Sequence, residues 1–213
     1  MSDALSSLES QTFEIIAYVF PGTIFVIAVF NLVFDVAISQ IFSNFISVMF
    51  AGFIFGLGLH SVYNLVWKLL RRSNTKAASS ELYTKANDLI KEKYNIDDAT
   101  NLELYFVKER ILVDSTHVTE YYNHLSYQKI FSSSFAINCF FIALVLLTRF
   151  FTTELFINLD SNYIYIAPRL VLLLAVVCIV AGAVFFNRAN FYRDYRNSVL
   201  NANVLFNLSQ NDL

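Results

Sequence analysis

One histidine and four asparagines interrupt the apolar stretches of this chain: Asn31, Asn44, His60, Asn64 and Asn138. Imidazoles and amides at such positions can line a pore or act as a gate. No charged side chain is central in any apolar stretch, which argues against a proton- or ion-coupled transporter. His60 and Asn64 extend a line begun by Gly52 and Gly56, each four residues from the next. On a helix this makes one face of small and then polar groups. The glycine pair lets a second helix approach closely, so Gly56→Leu is expected to disrupt assembly.

A second set of residues is basic. Lys68, Arg71 and Arg72 close one apolar run, Arg188, Arg193 and Arg196 follow another, and Arg110 lies between them. Such charges set topology and touch lipid headgroups. They would equally suit a basic ring, formed in an oligomer, that takes an anionic ligand such as a nucleotide or oligonucleotide. His117 and His124 are separated by about 10.5 Å of helical rise, too far to share one zinc at bond lengths of about 2 Å. With Arg110, Tyr121 and Gln128 they form either a solvated face or the lining of a ligand cavity or subunit contact. The sequence holds no GxSxG, HExxH, CxxC or phosphate-cradling loop. No catalytic residue, cofactor or metal is expected, and the chain reads as a non-enzyme. Cys139 and Cys178 each lie in an apolar run and read as packing residues.

The elements that must position these residues are membrane helices. The chain has 213 residues, 56% hydrophobic and 16% aromatic, with a mean hydropathy of +0.52. Charged residues are 15%, well below the roughly 25% of a soluble domain. A span needs about 20 apolar residues, and four runs qualify: Phe13–Phe34, Ile41–Trp67, Phe131–Phe151 and Ala167–Phe186. The acidic start MSDALSSLESQTFE lacks the basic residues of a cleaved signal, so the first run is expected to be retained. Pro21-Gly22 predicts a kink or break there, or a helix that begins at that point. Pro168 suits the opening of the last run.

The fold class expected is therefore all-α and integral to the membrane. Residues 1–67 hold the N-terminal segment and the first two transmembrane helices. Residues 68–130 form a cytosolic helical region, 131–186 the third and fourth spans, and 187–213 a cytosolic amphipathic helix. The stretch from Lys68 to Lys129 carries 10 of 15 basic residues and no proline or glycine. Helices are expected after Ser79 or Ser80, which would cap Glu81 onward, and over Asn101–Asp114, with NIDDAT as the break. Ser115–Lys129 should run helically into the third span. Thr152–Tyr165 reads as a polar and aromatic connection. Thirteen of the 15 basic residues lie in the middle section and the tail. The positive-inside rule then puts both termini in the cytoplasm.

The layout resembles small four-span membrane effectors of bacterial anti-phage defence, of the Hailong and Kiwa type. The matching pieces are VFPGTIF in the first span, GLGLHS at the end of the second, the helical insert, and the tail FNRANFYRDYRNSVL. The resemblance implies an oligomeric effector, a channel or membrane-disrupting protein of the bacterial inner membrane. It would be triggered by a cytosolic protein partner or a nucleotide-derived ligand. Membrane lipids and further copies of the chain are the other expected partners. The alternative is a non-conducting anchor or sensor that recruits a soluble partner.

Overall fold

The computed structural model describes residues 2–71, 81–96, 98–113, 116–152, 155–159 and 162–210. Among them the chain is almost entirely helical: α1 (Ser2–Leu32), α2 (Ile38–Ser43), α3 (Phe45–Arg71), α4 (Glu81–Tyr94), α5 (Asn101–Val113), α6 (Thr116–Thr152) and α7 (Pro168–Gln210). One antiparallel hairpin, β1 (Leu155–Leu159) and β2 (Asn162–Ile166), joins α6 to α7, with Ile157 opposite Ile164. Four helices, α1, α3, α6 and α7, are long and apolar enough to cross a membrane.

Three details sharpen the sequence reading. α1 runs through Pro21 as one helix, so the break and the later helix start are not the outcome there. A proline removes one backbone donor, and such a gap is tolerated where neighbouring groups cover it. The second apolar run is two helices, not one. Asn44, at φ −109° and ψ 39°, ends α2 before α3 begins. The polar and aromatic connection between the third and fourth spans contains a β-hairpin, Leu155–Leu159 with Asn162–Ile166, whose strands carry β-branched and aromatic residues. The proposed Ser79 or Ser80 cap lies outside the described residues.

The chain divides into two compact units, Met1–Leu69 with Tyr127–Asn190, and Leu70–Ser126 with Phe191–Leu213. In the first unit, Val26, Ile41 and Val48 form one apolar cluster. Leu146, Ile166, Val171 and Ala175 form another beneath the hairpin. Outward positions on its helices are large and apolar, among them Ile46 and Phe50, a surface suited to lipid. Just beyond α1, Asp35 takes φ 58°, and Val36 N–H closes back on Phe30 O at 2.9 Å. That left-handed closure satisfies a terminal carbonyl.

In the second unit α4 and α5 pack with the end of α7. Ala86, Ile90, Leu104, Ile111, Val204 and Leu208 make its core. Leu112, Tyr122 and Leu200 extend the packing to the start of α6. α5 opens on a capping box. Thr100 N–H donates to Glu103 Oε2 at 2.7 Å, and Glu103 N–H donates back to Thr100 Oγ1 at 3.4 Å. Each answers a backbone donor that the first turn cannot. The Thr100 N–H, and then the Thr100 hydroxyl at 2.8 Å, donate to the Glu103 carboxylate and hold its pKa below the usual value.

Candidate functional site

The glycine line of α3 meets α1 of the same chain. A Cβ on Gly56 would fall 2.1 Å from Tyr18 O, and one on Gly52 would fall 2.3 Å from Thr23 Oγ1. Gly22 completes the crossing from the other side, since a Cβ there would lie 1.7 Å from Gly52 O. Backbone therefore touches backbone, and only glycine fits. The close partner of this line is α1, so the structure gives Gly56→Leu a target within the chain rather than at a subunit contact.

α6 reads the same crossing with polar side chains. Ser134 Oγ donates to Gly56 O at 3.3 Å, and Asn138 Nδ2 donates to Pro21 O at 3.1 Å. One turn further, Asn64 Nδ2 lies 3.0 Å from His60 Nε2, and His60 Nδ1 lies 2.6 Å from Ser133 Oγ. Ser133 Oγ itself donates to Ile130 O at 2.8 Å. An amide nitrogen is only a donor, so His60 Nε2 accepts and the imidazole proton sits on Nδ1, facing the serine oxygen. The chain Asn64, His60, Ser133, Ile130 O is thus polarised in one direction. Tyr63, fully buried, donates to Asn190 Oδ1 at 2.7 Å.

Asn31 belongs to a different cluster. Its Nδ2 donates to Val36 O and to Asn158 O, both at 3.0 Å, and Asn158 Nδ2 returns a bond to Asp35 O at 2.8 Å. Arg149 donates to Leu32 O at 2.9 Å, placing a cation where α1 presents its carbonyl ends. These bonds tie the hairpin to the end of α1. Asn44 is exposed at the α2–α3 junction, with Nδ2 3.4 Å from Ser43 Oγ. Of the five polar residues named from the sequence, the structure brings together only His60 and Asn64 by direct contact.

The second unit contains a cavity of about 140 Å³ with a buried floor and an exposed rim. Lys108 lies on the floor, 3% exposed, and its Nζ donates to Asn201 Oδ1 at 2.7 Å. The same ammonium sits 4.4 Å from the centre of the Tyr83 ring, a cation–π distance. Among the described residues no carboxylate pairs with it; Glu81 pairs with Lys85 instead. Burial pulls the Lys108 ammonium down to about 8 from its ordinary 10.5. Tyr83 donates to Asn101 Oδ1 at the rim. Tyr105 also lines the cavity, and its hydroxyl donates to Glu109 and lies 3.1 Å from the Tyr122 hydroxyl. Burial, then the bond to Glu109, raises the pKa of the Tyr105 hydroxyl. The Arg196 guanidinium lies 5.1 Å from the centre of the Tyr122 ring.

No protein-family model, curated protein or solved structure matches this chain.

The basic residues singled out from the sequence differ in exposure. Arg193 is buried and Arg196 half-buried, with Arg196 Nη1 3.4 Å from Ser126 Oγ. Arg110 is exposed on α5, and Lys68 and Arg188 are exposed in the first unit. Arg72 and the Arg71 side chain lie outside the described residues, as does the His117 side chain. His124 is exposed. Ser133, Ser134, Asn158, Lys108 and Asn201 escaped the sequence reading. Two signals pointed to them. The run Ser132–Ser134 opens an otherwise apolar span, and small hydroxyl residues there mark helix contacts. Lys108 stands four residues from both Leu104 and Leu112, on the face that α5 buries.

Proposed function

We propose that the chain is an oligomeric effector of the bacterial inner membrane, a channel or membrane-disrupting protein controlled by its second unit. The observation that carries this reading is the pairing of four apolar helices with a separate helical unit that holds a cationic cavity. α6 and α7 contribute residues to both units as uninterrupted helices, which supports control of the apolar helices by the second unit. In the proposed orientation both termini and the second unit are cytosolic, as the distribution of basic residues favours. The trigger is a cytosolic protein or a nucleotide-derived ligand, and the setting is anti-phage defence.

The purified chain in liposomes tests the proposal through ion flux, with nucleotide ligands added on the side of the second unit. Flux that appears with a ligand or partner is the expected result. A chain that gives no flux under any such condition, and no toxicity on overexpression, overturns it. One observation favours the second reading, a non-conducting anchor that recruits a soluble partner. His60, Asn138 and Asn31 all bond within their own chain, so any conducting path must come from faces shared between copies. Stable co-purification of a partner without conductance would select that reading.

A further inference from the structure

The cavity of the second unit is assembled from three helices. α4 supplies Tyr83 and Asn87, α5 supplies Asn101 and Lys108, and α7 supplies Asn197 and Asn201. Its volume is several times the roughly 30 Å³ that one water occupies, so it admits a small organic group. The floor is the chemically telling part. An ammonium has three donors; one goes to Asn201 Oδ1, and the Tyr83 ring covers another side. A buried cation is stabilised by an opposite charge, yet Glu109, the neighbouring carboxylate, is engaged by Tyr105 and Tyr122 instead. Asn87 adds an independent constraint. Asn87 belongs to the cavity lining, and its Oδ1 is buried with no donor among the described residues. One wall therefore carries a positive charge, and a residue of another wall carries an acceptor that no donor answers among the described residues.

We infer that this cavity binds a small molecule that carries an oxyanion, a carboxylate or a phosphate, together with a hydrogen-bond donor. The oxyanion is held by Lys108 and the donor by Asn87 Oδ1. The four amides favour a polar, hydrogen-bonding ligand over an apolar one. The inference concerns the second unit alone and stands whether or not the chain conducts.

Titration calorimetry on the full chain in detergent provides the test, with three probes. Glycolate has a carboxylate and a hydroxyl donor, acetate has the carboxylate alone, and inorganic phosphate stands for the phosphate source. Saturable binding of glycolate or phosphate is expected, and whichever binds identifies the oxyanion. If the carboxylate is chosen, glycolate should bind more tightly than acetate, and Asn87→Leu should bring the two together. Lys108→Met should weaken binding by at least about tenfold, as the loss of a charged hydrogen bond implies. Lys108→Met removes a buried charge at similar length and should retain the fold by circular dichroism. Lys108→Gln serves as the second variant. Absence of saturable binding by both glycolate and phosphate overturns the site. So does binding that survives both Lys108 variants unchanged. Equal affinity for glycolate and acetate overturns the role given to Asn87.

Discussion

Replacing Gly56 by alanine adds one methyl group where the structure leaves no room. The new Cβ would lie 2.1 Å from Tyr18 O and 2.8 Å from the Tyr18 carbonyl carbon. Both atoms are backbone, so no side-chain rotation relieves the contact, and α1 and α3 must separate by more than an ångström. Overpacking of this kind costs about 1–3 kcal/mol, and rigid backbone on both sides points to the upper end. Separation also strains the Ser134 bond to Gly56 O and the Asn138 bond to Pro21 O, each about 0.6 kcal/mol in a membrane interior. The expected loss is about 3–4 kcal/mol, or a fall in Tm of roughly 6–16 °C for a chain this size. Gly58, two residues away on the same helix, supplies the control, because a Cβ there meets nothing within 4 Å. Gly58→Ala should be neutral or stabilising by up to about 1 kcal/mol through helix propensity. Thermal unfolding of both variants in the same detergent, followed by circular dichroism at 222 nm (the usual helix wavelength), measures the difference. Equal midpoints for the two variants would refute the backbone contact between α1 and α3.

Three further outcomes follow from bonds and burial. Thr100→Ala removes half of the capping box and should lower stability by about 1 kcal/mol, with amide exchange accelerated in the first turn of α5. Asn31→Ala leaves Val36 O and Asn158 O without their donor, so it should cost about 1–3 kcal/mol and speed proteolysis at the β1–β2 hairpin. Lys108 holds its proton less tightly in the fold than in the unfolded chain, with a folded pKa of about 8 against 10.5. Between those values the unfolded state binds more protons, so stability should rise as pH climbs from about 8 to 10.5. Over the same window glycolate binding should fade, because the ammonium that holds it is being lost; denaturant titrations and calorimetry at pH 7, 8 and 9 separate the two opposite trends.

The long helices were legible because their signals are long. Four apolar runs, Pro168 at the start of α7 and the break over NIDDAT all come from composition and punctuation, and α5 begins at Asn101 as the pattern predicts. The hairpin was hidden by its length: five residues per strand between two apolar helices give little periodicity to read. The α2–α3 junction was hidden for a different reason. Ser43, Asn44 and Ser47 punctuate the run, but apolar residues continue on both sides, so the backbone angle at Asn44 is what marks the helix end. The polar residues were legible as unusual but not as partners. Nothing in the spacing says that Asn138 serves Pro21 or that Asn31 serves Asn158, since each bond joins residues more than a hundred positions apart. Lys108 was the clearest missed signal, as its place between Leu104 and Leu112 already put a cation on an apolar face.

The crossing of α1 and α3 also has a consequence for the order of assembly. It joins residues only about thirty positions apart, whereas the bonds from α6 reach back across 78 and 117 positions. A chain synthesised from its N-terminal end completes α1 and α3 before α6 exists. The carbonyls of Pro21 and Gly56 are thus fixed in place first, and Ser134 and Asn138 arrive later to find a finished template. Contacts of short sequence separation also close fastest, so synthesis and loop closure favour the same sequence of events. A substitution at Gly22 or Gly56 would therefore act earliest, on the nascent pair of helices, before the rest of the chain could compensate.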